Sequence, residues 1–254
     1  MPSTGKLAAA IPVPWELGGR AEEQFEKHLS AALETGPPTV VLDCAELQLT
    51  TSQHVELLWR ARLRCQRGAT DVRLQNPSPG LLRVLTVLDL ADLFHCAPSP
   101  AADEADESIT GVGPARAKYH DSFRPMAGET APAAERFEAF LVPLPVPEMT
   151  RFELRTIFYE IASNISQHAG IDKDTPIAFW AEFKLGRIVM VFSDSGREYD
   201  PTAATVDFDA RTAAKQRRVR GFGLPMVRRM TDTMSYIRGA DGRNILTIVK
   251  TWSV

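Results

Sequence analysis

The sequence predicts a two-domain protein of the α/β (α+β) class, in which each domain layers helices on a sheet. In residues 7–97, continuous apolar strands alternate with segments of helical periodicity. In residues 135–254, an apolar hairpin lies between two further helical segments. Residues 98–134 begin with a stretch rich in proline, alanine and acidic residues, a composition that buries little apolar surface. We therefore expect domains at 1–97 and 135–254, joined by a partly disordered linker.

Composition excludes several classes of function. The chain of 254 residues is 44% hydrophobic and 24% charged, which is ordinary for a protein with a packed core. Its formal net charge of -3 gives no electrostatic reason to expect nucleic acid or an anionic membrane as a partner. No apolar run approaches the roughly 20 residues that span a bilayer. Three dispersed cysteines and an N-terminus without secretory-signal features favour a cytoplasmic location.

The first domain is predicted to contain three strands, each followed by one or more helices. The run Val40–Leu42 is continuously apolar after a turn, which is typical of a buried strand. Arg67 and Gly68 end a helix in the expected way, with a cation and a glycine. The predicted strands cover residues 7–13, 39–44 and 71–75, and the predicted helices cover residues 18–33, 52–65, 81–88 and 90–94.

The second domain is predicted to begin with a strand, because residues Phe137–Leu144 alternate between apolar and other positions. Apolar residues then recur at helical spacing through Glu148–His168. Two apolar strands flank Lys184–Gly186, which indicates an antiparallel hairpin. The remaining predicted elements are a long basic loop at 197–220, a helix at 221–233, and closing strands at 236–238 and 244–251.

Three motifs of the second domain combine into one predicted ATP site. The turn Asp194–Gly196 follows an apolar strand, where an Asp-x-Gly sequence can present an acceptor to the edge of adenine. The turn Gly221–Gly223 opens a helix whose N–H groups can bind phosphate. Glu160, Asn164 and His168 are spaced by four, so they lie in a row on one helix face. An acid and an amide one turn apart can serve a metal-bound nucleotide.

These motifs, taken in this order, resemble the GHKL (Bergerat) ATP-binding fold, and within it the anti-sigma-factor serine kinases. The resemblance predicts an α/β sandwich for the second domain. It rests on Glu160-x-x-x-Asn164-x-x-x-His168, Asp194-x-Gly196 with Asp200-Pro201, Arg220-Gly221-x-Gly223-Leu224, and a tail containing Asp232, Tyr236, Asn244 and Lys250. One departure concerns the helix that usually precedes the Glu/Asn helix. Pro145–Pro147 joins the predicted strand to that helix almost directly, unless residues 115–134 supply the missing element.

The resemblance implies a role for each motif. Glu160 would accept the proton of the attacking hydroxyl or water. Asn164 would ligate Mg²⁺, a hard cation that also takes phosphate oxygens and waters. Asp194 would accept a hydrogen bond from the exocyclic amine of adenine, and Gly196 would let the base approach the backbone.

The phosphates of ATP have their own implied ligands. Gly221 and Gly223 would donate backbone N–H groups to the β- and γ-phosphates. Arg217, Arg218 and Arg220 either hold the polyphosphate or form an ordinary exposed run of charge. The implied ATP-binding set is completed by His168, which could instead cap its helix, and by Leu224 and Asn244.

The first domain resembles the STAS domain of anti-sigma-factor antagonists. The matching pieces are Val40–Asp43, the helix start at Ser52, Val72–Leu74 with Asn76–Pro79, and the leucine pattern from Val84 to Phe94. In that family a serine or threonine at this helix start is phosphorylated. Ser52 falls on the acceptor position and Thr51 is the fallback, although the usual neighbouring Asp, Ser and Gly are absent. The alternative is that Ser52 is a plain helix N-cap. His54 beside it is predicted to be a surface or interface side chain rather than a catalytic base.

The two resemblances together imply a bacterial partner-switching regulator. It would be an ATP-dependent serine/threonine kinase that acts on a STAS-domain protein, either through its own Ser52 or on a separate homologue. The alternative is a non-catalytic, nucleotide-dependent binding module that sequesters a sigma factor or another regulator, so enzymatic activity stays open. ATP and Mg²⁺ are the implied cofactors. A homodimer is possible because kinases of this family are commonly dimers.

Overall fold

The computed structural model describes residues 10–47, 50–96, 114–126, 128–203 and 221–254. The chain forms two compact units. Of the described residues, the first unit holds 10–47, 50–96 and 221–222, and the second holds 114–126, 128–203 and 223–254. Helices and a sheet occur in each unit, so the predicted α/β class is confirmed.

The first unit is a small parallel sheet with helical crossovers. Among the described residues its strands pair in the order β1-β2-β3, and both pairings are parallel because a helix separates each strand from the next. The strands are β1 (Ile11–Pro12), β2 (Thr39–Asp43) and β3 (Asp71–Gln75). The helices are α1 (Gly19–Glu34), α2 (Ser52–Arg67) and α3 (Pro79–Val87), followed by a 3₁₀ helix (Ala91–Phe94).

The sequence signals for this unit have clear structural counterparts. Val40 and Leu42 are buried on β2, and Ser78 caps α3 by accepting a hydrogen bond from the Leu81 N–H at 3.1 Å. On the outer surface, Arg60 and Arg64 of α2 pair with carboxylates of α1, namely those of Glu22 and Glu26. The core residues shared by the sheet and helices include Phe25, Leu29, Leu58, Trp59, Leu81 and Leu85.

The second unit is an antiparallel sheet covered on one face by helices. In the described ranges its strand order is β4-β5-β6-β8-β7, with every pairing antiparallel. The strands are β4 (Arg116–Phe123), β5 (Ile177–Lys184), β6 (Arg187–Asp194), β7 (Thr233–Arg238) and β8 (Asn244–Thr251). The helices are α4 (Thr130–Leu141), α5 (Glu148–His168) and α6 (Gly223–Met230).

Helix α5 is attached to this sheet by rings and by one buried ion pair. The ring of Phe158 lies 4.7 Å from that of Phe179 on β5 and 5.4 Å from that of Phe192 on β6. Closer to the N-terminus of the helix, Glu153 Oε2 lies 2.6 Å from Lys250 Nζ on β8, and the Glu153 side chain is 4% exposed. A buried carboxylate needs such a partner because it has lost its hydration. These contacts fix the helix face that carries Glu160 and Asn164.

The predicted strand at Phe137–Leu144 is wrong, because these residues form the end of helix α4 and the turn that follows it. Ala133, Ala134, Phe137 and Leu141 are all fully buried, at the spacing of one helix face. The local alternation of apolar residues in this segment was therefore a poor guide to its structure.

The predicted linker at 98–134 also needs correction in its second half. Residues Arg116–Phe123 form β4, which pairs along its whole length with β5 from Arg116↔Lys184 to Phe123↔Ile177. Tyr119 packs its ring against those of Phe137 and Phe179, at 5.8 and 6.0 Å. This strand and α4 together supply the element that seemed to be missing before α5. The proline-rich residues 98–113 lie outside the described ranges.

No helix in the described part of the chain is both long enough and apolar enough to cross a membrane.

Candidate functional site

The second unit contains a cavity of about 420 Å³ between α5, the end of β6, α6 and strands β7 and β8. This volume is within the range of roughly 300–1,000 Å³ that is common for small-molecule sites. Its lining includes five residues of the predicted ATP site, namely Asn164, His168, Asp194, Leu224 and Asn244. Apolar side chains, Ile161, Ile165 and Leu246 among them, line much of the remainder.

Asp194 is buried at the end of β6, directly opposite Asn244 on β8. Its Oδ1 accepts hydrogen bonds from the Gly196 N–H and from Asn244 Nδ2, each at 2.8 Å. Within the described ranges, Oδ2 accepts no hydrogen bond. Asp194 therefore presents a fixed, unused acceptor in the cavity wall, which matches the exocyclic amine of adenine.

The amide of Asn244 is oriented by two donors behind it. Tyr236 Oη donates to Asn244 Oδ1 at 2.7 Å, and Arg238 Nη1 donates to the same oxygen at 2.5 Å. A guanidinium can only donate, so this oxygen faces Arg238 and the Asn244 NH₂ must face Asp194. The NH₂ also donates to the carbonyl of Arg197 at 3.0 Å. The network thus requires Asp194 to act as an acceptor.

Gly196 is required by space rather than by an unusual backbone conformation. A Cβ at this position would lie 2.5 Å from Ala169 Cβ and 2.7 Å from the Ala169 carbonyl oxygen. Ala169 follows the last residue of α5, and its carbonyl accepts the Arg197 N–H at 2.8 Å. The Asp194–Gly196 turn is therefore packed against the end of α5, which brings the Asp194 carboxylate next to the helix that carries Glu160.

The row on α5 is divided between the helix core and the cavity. Glu160 is buried with only 4% of its surface exposed, whereas Asn164 and His168 reach the cavity lining. In the described part of the chain, Asn164 Nδ2 is buried and has no hydrogen-bond partner. An unsatisfied buried amide is costly, so this group is suited to a polar ligand such as a phosphate oxygen. Burial raises the pKa of the adjacent Tyr159 hydroxyl, and the negative charge of Glu160 raises it further.

A magnesium ion would fit this site only as part of a nucleotide complex. The described residues contain no group of three or more His, Cys, Asp or Glu side chains that could hold a metal. Mg²⁺ bound to a nucleotide needs only one or two protein oxygens, because phosphates and waters complete its octahedron. The Asn164 carboxamide, whose Nδ2 is unsatisfied, lines the cavity and could supply one.

The residues predicted to bind the phosphates do not all lie at the cavity. Gly223 begins α6, and Leu224 behind it lines the cavity. Gly221 has φ +90°, which favours glycine, and it belongs with Phe222 to the first unit. Its N–H donates to Glu56 Oε1 at 3.0 Å. Arg217, Arg218 and Arg220 lie outside the described residues.

Comparison with known families agrees with this geometry. A family model described as a histidine kinase-like ATPase domain matches residues 123–250, half of the chain. The chain belongs to this family. A second family model, described as "Mlab, STAS domain", matches residues 16–95. No curated protein is a significant match to the chain. The expected combination of a STAS domain with a GHKL-type ATPase domain is confirmed, and an ATPase domain of this type implies ATP binding.

In the STAS domain, the start of α2 differs from the expectation in two respects. Thr51, rather than Ser52, is the N-cap, and Ser52 is the half-buried first residue of the helix. His54 is buried, not a surface side chain. Its Nδ1 accepts the Thr51 N–H at 3.2 Å and lies 2.8 Å from Thr51 Oγ1, and its Nε2 lies 3.0 Å from the Trp15 carbonyl. Burial lowers the pKa of His54.

Two contributors to this hydrogen-bond network were missed by sequence reasoning. Tyr236 stood out only as part of a motif, and Arg238 only as part of a strand. Arginine and tyrosine on an exposed strand have no distinctive sequence pattern. Alternate residues of a strand point to the same face of the sheet, so Tyr236 and Arg238 could have been assigned to one face of β7. The antiparallel register with β8 then brings both near Asn244.

Proposed function

We propose that this protein is an ATP-dependent serine/threonine kinase of the partner-switching type. Its substrate would be a STAS domain, either its own through Ser52 or that of a separate homologue. The observation that carries the proposal is the row on α5, where the carboxylate of Glu160 lies one turn from the unsatisfied amide of Asn164. A buried acid one turn from that amide suits a general base for the acceptor hydroxyl.

Within this proposal each side chain has a defined task. Asp194 Oδ2 accepts the exocyclic amine of adenine, while Asn244 and Gly196 hold Oδ1 in place. Asn164 contacts the metal-bound phosphates, and Mg²⁺ at its carboxamide oxygen would supply charge neutralisation. The acceptor hydroxyl oxygen bonds to the γ-phosphorus as the bond from that phosphorus to the β,γ-bridging oxygen breaks. Glu160 takes the hydroxyl proton, and ADP leaves. Positioning and charge neutralisation account for most of the rate in such transfers.

The test is direct labelling. The purified chain is incubated with γ-labelled ATP and Mg²⁺, alone and with a candidate STAS protein, and mass spectrometry locates the label. We expect label on Ser52 or on the added STAS protein, and we expect Glu160→Gln to lower the rate by about 10²–10⁴-fold while ATP still binds. Nucleotide binding without transfer to any tested acceptor would contradict the kinase proposal.

A second candidate is a nucleotide-dependent binding module that sequesters a sigma factor or another regulator. One observation favours it: the backbone N–H of Gly221, an expected phosphate ligand, is already bonded to a carboxylate. In that case ATP would control partner binding rather than serve as phosphoryl donor. Glu160→Gln would then leave ATP-dependent partner capture unchanged, as measured by pull-down with a defined partner.

A further inference from the structure

A short segment of the second unit forms part of the wall of the cavity. We call residues 197–202 the strap, because they lead from the Asp194–Gly196 turn to a contact with α6. Arg197, Glu198, Tyr199 and Pro201 of the strap line the cavity. The strap, α6 and the cavity all belong to the second unit.

The first residue of the strap is held by two hydrogen bonds of its backbone. The Arg197 N–H donates to the Ala169 carbonyl at 2.8 Å, and the Arg197 carbonyl accepts from Asn244 Nδ2 at 3.0 Å. Asn244 Nδ2 also donates to Asp194 Oδ1 at 2.8 Å. The start of the strap is therefore tied to the same side chain that orients the proposed acceptor for adenine.

The other end of the strap is held by Arg228 of α6. Its Nη2 donates to the Pro201 carbonyl at 2.5 Å and to the Thr202 carbonyl at 3.0 Å. Asp200 closes the turn at these residues, since its Oδ1 accepts the Thr202 N–H at 2.7 Å and the Thr202 hydroxyl at 2.6 Å. The bond from the hydroxyl is the main cause that lowers the pKa of Asp200. A guanidinium that donates to two consecutive carbonyls leaves this turn little freedom.

Tyr199 lies between these two anchors, and it is 54% exposed although it lines the cavity. Single exposed aromatic residues are common on protein surfaces, so exposure alone assigns no role. Among the large apolar side chains that are exposed in the described ranges, however, Tyr199 alone lines this cavity. A ligand in the cavity can cover this ring, and the anchors on both sides fix the backbone that carries it.

We propose that Tyr199 packs its ring on the base of the bound nucleotide, and that Arg228 is a positioning residue that holds the strap for this contact. The inference rests on the proposed function, because it takes ATP as the ligand of the cavity. A base that is bonded to Asp194 at its edge still has its faces to cover, and an aromatic ring suits that task. Stacking tolerates every base, so Tyr199 contributes affinity while Asp194 contributes selectivity.

The first test measures the affinity of the full chain for adenosine and for ATP by calorimetry. Tyr199→Ala should weaken both by about 5–100-fold, the usual loss when an aromatic ring is removed from a stacked base. Tyr199→Phe keeps the ring and should bind both ligands as the wild type does. Trp180→Ala is the control, because Trp180 is an aromatic residue that is 40% exposed on β5 and does not line the cavity. It should leave both affinities unchanged.

A double-mutant cycle separates positioning by Arg228 from a general effect on stability. Arg228→Met should weaken adenosine binding about threefold or more when Tyr199 is present, and should have no effect in the Tyr199→Ala background. Arg229→Met changes the exposed neighbouring arginine of α6 and should have no effect in either background. An equal loss in both backgrounds would mean that Arg228 supports the cavity as a whole, and would overturn its positioning role.

A further measurement does not depend on nucleotide. Amide hydrogen exchange at Thr202, followed by NMR on the ligand-free chain, should be slow in the wild type and faster in Arg228→Met. If that variant is poorly folded by circular dichroism, Arg228→Lys replaces it, with a smaller change in the same direction because lysine lacks the planar fork of donors. Equal exchange rates would overturn the role of Arg228.

The outcomes for Tyr199 and for the ATP site are distinguishable. If the wild type binds adenosine and ATP and Tyr199→Ala binds them equally well, the Tyr199 contact is overturned and the ATP site stands. A loss in Tyr199→Phe as large as that in Tyr199→Ala would also overturn stacking. If the wild type binds neither ligand, the ATP site is refuted, and the Tyr199 contact is refuted with it.

Discussion

At the scale of single residues, the proposed base-recognition site is defined by which atoms of Asp194 are already used. Both hydrogen bonds to this carboxylate go to Oδ1, one from the Gly196 N–H and one from Asn244 Nδ2. In Asp194→Asn the same two donors would hold the amide oxygen, and the new NH₂ would take the place of Oδ2. The variant would then confront the exocyclic amine of adenine with a second donor.

We therefore predict that Asp194→Asn lowers ATP affinity by about 10–100-fold, the usual weight of a hydrogen bond to a charged group. The affinity for inosine triphosphate, whose base has an oxygen at that position, should fall less or rise. Calorimetry with both nucleotides measures the ratio. Asp232→Asn is the matched control, because Asp232 bonds to Thr251 and does not line the cavity. Unchanged ATP affinity in Asp194→Asn would mean that the site is misassigned.

Gly196 allows a second prediction at this scale. In Gly196→Ala the new methyl group would lie 2.5 Å from Ala169 Cβ and 2.7 Å from a backbone oxygen, and neither neighbour is a flexible side chain. We expect the free energy of unfolding to fall by about 1–3 kcal/mol. Gly239→Ala is the control, because its Cβ would approach only the movable tip of Asp241 closely, and it should change stability by no more than about 0.5 kcal/mol. Urea denaturation of both variants measures the difference, and equal midpoints would contradict the packing argument.

The residues of this site could be predicted from sequence to very different degrees. The sequence identified Asp194, Asn164 and Asn244, because their motifs are short and follow one another in a recognisable order along the chain. All three residues line the cavity. The hydrogen bonds that orient them could not be predicted. They depend on Tyr236 and Arg238 reaching Asn244 across an antiparallel register, which local sequence does not encode.

At the scale of elements, the cap at the start of α2 contains a buried titratable side chain, that of His54. Burial lowers the pKa of His54, and the hydrogen bond to the Trp15 carbonyl offsets this lowering only in part. The folded pKa is thus below the unfolded value of about 6.5. Below that pH the unfolded chain binds more protons than the folded one, so stability is lost as the pH falls from about 6.5 towards the folded pKa.

We predict that His54→Gln removes this part of the pH dependence. Glutamine at the third helical position after a threonine N-cap retains the capping-box pattern but does not titrate. Between pH 7 and pH 5 the free energy of unfolding should therefore fall more for the wild type than for His54→Gln. Denaturation at several pH values, followed by circular dichroism, provides the comparison. Parallel curves for the two proteins would show that His54 does not titrate on unfolding.

Helices and strands were predicted well where their apolar residues repeat on one buried face, and poorly where they do not. Helix α5 and the β5–β6 hairpin have strong periodicity and were found. Strand β4 was not, because its side chains are mostly exposed or half-buried and its sequence is polar. The segment Phe137–Leu144 was predicted as a strand because its apolar alternation was weighed without the alanines at 133 and 134, which complete the helical face.

At the scale of the whole molecule, the combination of a STAS domain with an ATPase domain raises the question of which chain receives the phosphate. Two sites on one chain can meet at an effective concentration on the order of millimolar when a short flexible linker joins them. Micromolar protein in solution provides far fewer encounters between separate chains. If Ser52 is the acceptor of its own kinase, the rate of labelling per chain should therefore not depend on the concentration of the protein.

A mixing experiment tests this prediction. Ser52→Ala keeps the proposed base but lacks the acceptor, and Glu160→Gln keeps the acceptor but lacks the base. The two variants are mixed at micromolar concentration with γ-labelled ATP and Mg²⁺, and Ser52 of the Glu160→Gln chain should stay unlabelled. The wild type alone should be labelled at the same rate per chain across a hundredfold dilution. Label on the Glu160→Gln chain that rises with the amount of Ser52→Ala would show transfer between chains. The STAS domain would then be an acceptor for other molecules rather than for the kinase of its own chain.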